Sequence, residues 1–302
     1  MINIDSKYDI VLTFSNVTEI TGHIFECFDY YLILRNKFKV AILFLNSIPM
    51  CKLKIAWDSK YIIPFTDVID DIIYINEQQY NKERIYNFGK NTKVILTDGN
   101  ILQLEKHSIL FKTNKLYGFL CADLDFTQCK LYKNIIYLQD YRLYGKNKHF
   151  KSINYVKKIP FQYYKKFSSP KQNIGLMYLT FNCRKITREA VIEGHLQSGC
   201  NKTIILVPEY VLEYDNIPNV EQVIAPLDNF FEKFDTYIYT TFTRNLDCSP
   251  RLLTECWYYG KKIIIATNKS DLGREIRLND LKNNFKSLWL TEQDSIFSIL
   301  SE

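Results

Sequence analysis

The sequence predicts an α/β protein built from two Rossmann-like domains that face a central cleft. Short apolar strands alternate with helical stretches in βαβ order in each half of the chain. A basic joint marked by Pro and Ser, around 157–172, separates the two series. The 302 residues suffice for two medium domains. The expected domains are 1–166 and 167–302.

The first half opens with a strand over 8–14 and a polar loop over 15–22. A helix follows from about His23 to Arg35, with Ile24, Phe28, Tyr31 and Leu32 on one face. The next strand, 39–45, completes a βαβ unit and implies a parallel sheet with a right-handed crossover. Segments 72–75, 94–97, 116–120 and 134–138 are further strands, joined by helical or irregular connections. In the second half, 174–181 is a strand, 187–199 a helix, 203–207 and 220–224 strands, 227–234 a helix and 236–241 a strand. Segments 278–281 and 296–300 close the chain as helical turns. In open α/β sheets, ligands bind beyond the carboxyl ends of the strands, so tandem sheets offer one such edge to each of two substrates.

Composition narrows the class. Hydrophobic residues make up 47% and charged residues 24%, a globular balance that excludes a disordered chain. The net charge of +6 permits a polyanionic partner without demanding one. The eight cysteines form no CxxC and no zinc spacing, and several sit in apolar runs, as buried free thiols of a reducing compartment do. The opening residues lack the ordered basic and apolar regions of a signal peptide, and runs such as 40–45 are far too short to cross a bilayer. A soluble, cytoplasmic protein with no membrane partner is expected.

The most informative stretch is 244–266, which contains DCSPRLLTECWYYGK. Ser249 is an N-cap, Pro250 suits the first helical position, Gly260 supplies a left-handed stop, and Ile263, Ile264 and Ile265 form a strand. Such a helix turns its free N–H groups and positive dipole end toward whatever precedes it. Arg251 stands in the first turn and Glu255 one turn deeper on the same face, a spacing that also describes an ordinary intrahelical ion pair.

This segment resembles the donor-binding signature of GT-B glycosyltransferases, and its wording is closest to enzymes of tailed phages, some of which modify hydroxymethylated bases in DNA. The resemblance implies GT-B architecture and a nucleotide-sugar donor of the UDP-glucose type. It implies further that Glu255 binds the ribose while Arg251 and Ser249 face the diphosphate. A phage source would place the protein in the cytoplasm of the host cell.

Other candidates lie just past strand ends. Arg184 and Lys185 follow the strand 174–181 as a fork and a point charge suited to a diphosphate, or as a solvated basic loop. Arg244 follows the strand 236–241. Val207-Pro-Glu209 marks a strand exit where look-alike enzymes often contact a nucleobase. No GxGxxG and no P-loop occurs. The Asp123-Leu-Asp125 dyad lacks the rest of a GT-A pattern and is read as a polar turn, so no obligatory metal is expected and cations with a helix terminus neutralise the leaving group. Asp98 follows the strand 94–97, where an inverting enzyme could hold its general base, although Asp98-Gly99 is also a turn dipeptide. His23 starts a helix and could position a substrate or serve as a cap, whereas His195 belongs to packing or surface.

The expected activity is sugar transfer from a nucleotide-sugar to a hydroxyl, the acceptor being a 5-hydroxymethylated pyrimidine in double-stranded DNA. Lys146, Lys148 and Lys151, interleaved with aromatics, are the candidate phosphate contacts on such DNA. The alternatives are a glycosyltransferase acting on a polysaccharide, protein or small metabolite, and a non-catalytic nucleic-acid-binding protein.

Overall fold

The computed structural model describes residues 2–4, 7–15, 20, 22–45, 48–75, 85–97, 111–113, 115–120, 135–140, 152–155, 159–168, 171–179, 186–225, 227, 229–240, 251–266 and 295–301. It divides into two compact units, one of Met1–Lys165 with Leu290–Glu302, the other of Lys166–Trp289. Both are α/β with parallel sheets, as the alternating pattern predicts.

Unit 1 contains strands β1 (Ile2–Asn3), β2 (Ile10–Ser15), β3 (Val40–Leu45), β4 (Ile72–Ile75), β5 (Tyr86–Asn87), β6 (Lys93–Leu96), β7 (Phe111–Lys112), β8 (Lys115–Leu120), β9 (Ile135–Asp140) and β10 (Ser152–Tyr155). Seven of them form one parallel sheet in the order β10-β9-β8-β6-β2-β3-β4. β1, β5 and β7 make a small parallel sheet of their own. Every residue of β3 is buried, as befits a central strand covered on both faces. Helix α1 (Gly22–Leu34) crosses from β2 to β3 and is buried nearly all round. Helix α2 (Met50–Lys60) follows β3 and turns Leu53, Ala56 and Trp57 inward at helical spacing. The Trp57 ring meets Phe28 of α1 edge-on at 4.9 Å.

The first part of the expected joint is built into unit 1. Tyr164 pairs antiparallel with Tyr61, and the N–H of Ile62 donates to Tyr163 O at 2.8 Å. The Tyr61 and Tyr164 hydroxyls both donate to the buried Asp29 carboxylate, at 2.8 Å and 2.9 Å. Three residues on, Phe167 packs against Phe231 and Tyr259 of unit 2. The chain also returns: helix α5 (Ser295–Ser301), expected with the second half, belongs to unit 1. Its Phe297 stacks on Phe38 and lies under the Lys37 ammonium at 4.2 Å. Lys93 donates to the carbonyl of Leu300 at its end.

Unit 2 contains β11 (Ile174–Tyr178), β12 (Lys202–Val207), β13 (Val220–Ile224), β14 (Thr236–Thr240) and β15 (Lys262–Ala266), all parallel, in the order β13-β12-β11-β14-β15. Helix α3 (Arg188–Ser198) begins at Thr187, whose hydroxyl accepts from the Ala190 N–H, and ends at Gly199 with φ of 65°. Helix α4 (Arg251–Tyr258) leads into β15. The core runs through Met177, Val191, Ile205, Val207, Ile238 and Ala266. The helix expected over 227–234 is instead a 3-10 turn, Phe230–Glu232, entered through Asn229 at φ of 50°. Its spaced aromatics serve a cluster with Tyr259 rather than a helix face.

Candidate functional site

The strand orders define where each sheet is open. In unit 2 the chain lays down β11, β12 and β13 to one side, then β14 and β15 to the other, so β11 and β14 flank the point where the order reverses. Helices crossing in opposite directions leave a crevice beyond the carboxyl ends of such a pair. The chain positions following β11 and β14 are those of the basic candidates. Arg184, Lys185, Arg244 and Ser249 themselves lie outside the described residues.

Arg251 is described, as the first residue of α4. In a right-handed β14-α4-β15 crossover the helix runs back against the strands, so its N-terminus lies at the carboxyl edge of the sheet. Gly260 closes the following turn at φ of 68°, and β15 is parallel to β14, as predicted. The intrahelical pair is formed: Arg251 Nε donates to Glu255 Oε1 at 2.5 Å. The two side chains keep only 12% and 3% of their surface exposed. Glu255 is therefore a buried carboxylate, held between buried Thr254 and Cys256 on a helix whose inner face is Leu253 and Cys256.

Farther along the same sheet edge, Val207 and Ile224 end β12 and β13 opposite each other. Past them, Tyr210 and Leu212 are exposed, and Gln222 holds Val211 through both its N–H and its carbonyl. Ile224 is exposed as well, which strand periodicity could not reveal. Glu209 is exposed beside them.

Unit 1 repeats the logic. Its order reverses between β2 and β6. Thr97 N and Oγ1 both donate to Thr13 O, at 3.1 Å and 2.8 Å, which pins the exit of β6 to β2. Asp98 comes next in sequence and lies outside the described residues. His23 is described: it is the second residue of α1, its side chain 45% exposed, with Nδ1 at 3.9 Å from Oε2 of buried Glu26. Sequence spacing gave no place to Glu26 and Asp29. The available signal was a helix apolar on nearly every face, which buries whatever acids it carries.

Lys146, Lys148 and Lys151 lie outside the described residues, as does the Asp123 to Asp125 dyad. His195 packs with Nδ1 at 2.7 Å from Thr203 Oγ1, and burial holds its pKa below the ordinary histidine value. Among the described residues no three His, Cys, Asp or Glu side chains gather as a metal site, and no helix is long and apolar enough to cross a membrane.

Comparison with protein-family models finds no match, and comparison with curated protein sequences finds none either.

Proposed function

We propose that the protein is a glycosyltransferase with the two-domain GT-B arrangement, taking its sugar from a UDP-type nucleotide-sugar bound by unit 2. The observation that carries this reading is the strand order of unit 2. The sequence positions of Arg184, Lys185, Arg244 and Ser249 follow the two strands that flank its reversal, and α4 opens on Arg251. In sequence, four cations and a helix start thus follow the two strands at the reversal, the chemistry a leaving diphosphate needs without a bound metal. Exposed Tyr210, Leu212 and Ile224, at and after the exits of β12 and β13, offer apolar area for a base.

In unit 1, His23 and Asp98 serve the acceptor. The acceptor hydroxyl oxygen forms a bond to the anomeric carbon as the bond from that carbon to the diphosphate breaks. The hydroxyl proton passes to Asp98 or His23, and the electron pair leaves with the nucleoside diphosphate. The acceptor proposed is a 5-hydroxymethylated pyrimidine in duplex DNA, with Lys146, Lys148 and Lys151 on its phosphates; the phage-type wording of 247–261 and the net charge of +6 support it.

Calorimetric titration with UDP-glucose tests the donor side. Binding that disappears in Arg251→Ala supports the reading, and a wild-type protein that takes no nucleotide-sugar refutes it. Sugar transfer to hydroxymethylated duplex DNA, and not to unmodified DNA, tests the acceptor.

A further inference from the structure

We infer that the segment 209–215 of unit 2 is a docking site for a cationic, apolar segment of a partner protein. This goes beyond the nucleotide-sugar reading and stands without it; both use Tyr210 and Leu212, so the test is made in the absence of nucleotide.

The segment reads Glu209-Tyr-Val-Leu-Glu-Tyr-Asp215, three acids and no cation in a chain whose net charge is +6. It follows β12 and contains the 3-10 turn Leu212–Tyr214. Its polar groups are held from within unit 2. Arg188, at the start of α3, donates through Nη1 to Glu213 O at 2.8 Å and to Asp215 O, and through Nη2 to Asn216 O at 3.3 Å. Gln222 of β13 donates to Val211 O at 3.0 Å and to the Asp215 carboxylate at 3.1 Å, and its Oε1 accepts the Val211 N–H. Tyr214 is buried and donates to Ile186 O at 2.7 Å.

The apolar side chains take the opposite place. Leu212 is 78% exposed and Tyr210 56%, the latter with its hydroxyl tethered to Asp215. This inverts the ordinary loop, which hydrates its polar side chains and hides its leucine. A segment fixed at so many points has little freedom left to lose on association, so its apolar area binds at low entropic cost. β13 is the outer strand of the sheet, which leaves the segment at its margin.

Charge selects the occupant. Glu209 and Glu213 are exposed and flank Tyr210 and Leu212 in sequence. Exposed Glu189 follows Arg188, whose guanidinium is spent on the carbonyls of the segment. Carboxylates around an apolar centre attract a chain that carries Lys or Arg beside apolar side chains, and they repel nucleic acid and anionic lipid.

The test is calorimetric titration of the full chain with a capped synthetic peptide in which Lys alternates with Leu and Trp. Binding is expected to weaken as salt rises. It should weaken about tenfold or more in Leu212→Ser and by a similar factor in Glu213→Lys, both at exposed positions where the fold is kept. Glu232→Lys, which reverses an exposed acid elsewhere in unit 2, should bind as wild type does. A wild-type chain that takes no peptide, an equal loss in Glu232→Lys, or equal binding of a peptide with Glu in place of Lys overturns the proposal. Self-association in ultracentrifugation that Leu212→Ser abolishes overturns it too, because the occupant is then a second copy of the chain.

Discussion

Asp235 offers the sharpest test of how unit 2 is held together. It stands just before β14, and its carboxylate accepts the backbone N–H groups of Lys171 at 2.6 Å, Gln172 at 2.8 Å and Ile174 at 3.1 Å. Lys171 and Asn173 adopt φ of 56° and 57°, and this alternation folds successive N–H groups into an anion-binding nest. The Asp235 backbone also donates to Ile174 O and accepts from Lys262, so one residue ties together the entries of β11, β14 and β15. A buried hydrogen bond to a charged group is worth about 1.5–3 kcal/mol, and partial solvent access at this site roughly halves that. Three such bonds give about 2–4 kcal/mol, of which Asp235→Asn, keeping one acceptor oxygen, forfeits about 1–2 kcal/mol. Burial alone would raise the Asp235 pKa, but the backbone N–H groups outweigh it and hold the carboxyl below the usual range. The unfolded chain therefore binds the proton more readily. The contribution of Asp235 is complete above about pH 4 and fades as pH falls through the folded value. Urea denaturation should place the Asp235→Asn midpoint about 0.5–1 M below wild type at neutral pH. The gap should close toward about pH 2–3. Equal midpoints at neutral pH, or a gap that persists undiminished in acid, would refute the nest.

Three further outcomes follow from packing. Gly175→Ala should destabilise unit 2 by about 1–3 kcal/mol. A Cβ there would lie 2.7 Å from Ile238 Cδ1, 3.0 Å from Thr203 Oγ1 and 3.1 Å from Cys200 Sγ, and an unchanged urea midpoint would contradict that close approach. Tyr61→Phe and Tyr164→Phe each remove a donor from the buried Asp29 carboxylate and should each cost unit 1 about 1–3 kcal/mol in chemical denaturation; a neutral pair of variants would show that the carboxylate does not depend on them. Phe297→Ala should cost about 3 kcal/mol and lower the thermal transition of unit 1 only, whereas a shift in the transition of unit 2 would contradict the docking of α5 on Phe38 and Lys37.

The sequence declares its strands well where apolar runs are long, as in β3, β12 and β15. Elements without that signature stay hidden. β10 reads Ser-Ile-Asn-Tyr, and β1, β5 and β7 have two residues each, too few for any periodicity to register. Helix α2 carries Leu53, Ala56 and Trp57 at helical spacing after Pro49, but its many lysines blur the stripe. The return of α5 to unit 1 could not be read at all. It depends on Phe297 meeting Phe38, a contact between residues near opposite ends of the chain.

Strand order is the part of the candidate site that sequence alone leaves undetermined, and it is the part that decides which strand exits matter. Every βα junction ends in a polar loop, so Arg184, Val207-Pro-Glu209, Arg244 and Asp98 stand on equal terms as strings of residues. Once β11 pairs with both β12 and β14, β11 and β14 flank the reversal of strand order, while the exit of β12 falls one strand outside it. The same holds in unit 1, where β2 pairs with both β3 and β6. The exit of β6 and the start of α1 then share an edge, which makes Asp98 and His23 candidates for one task rather than two. The Arg251–Glu255 pair differs in kind. Its spacing was legible, but an exposed pair and a buried pair have the same spacing. Burial alone separates a surface ion pair worth a few tenths of a kcal/mol from a fixed guanidinium at a helix start.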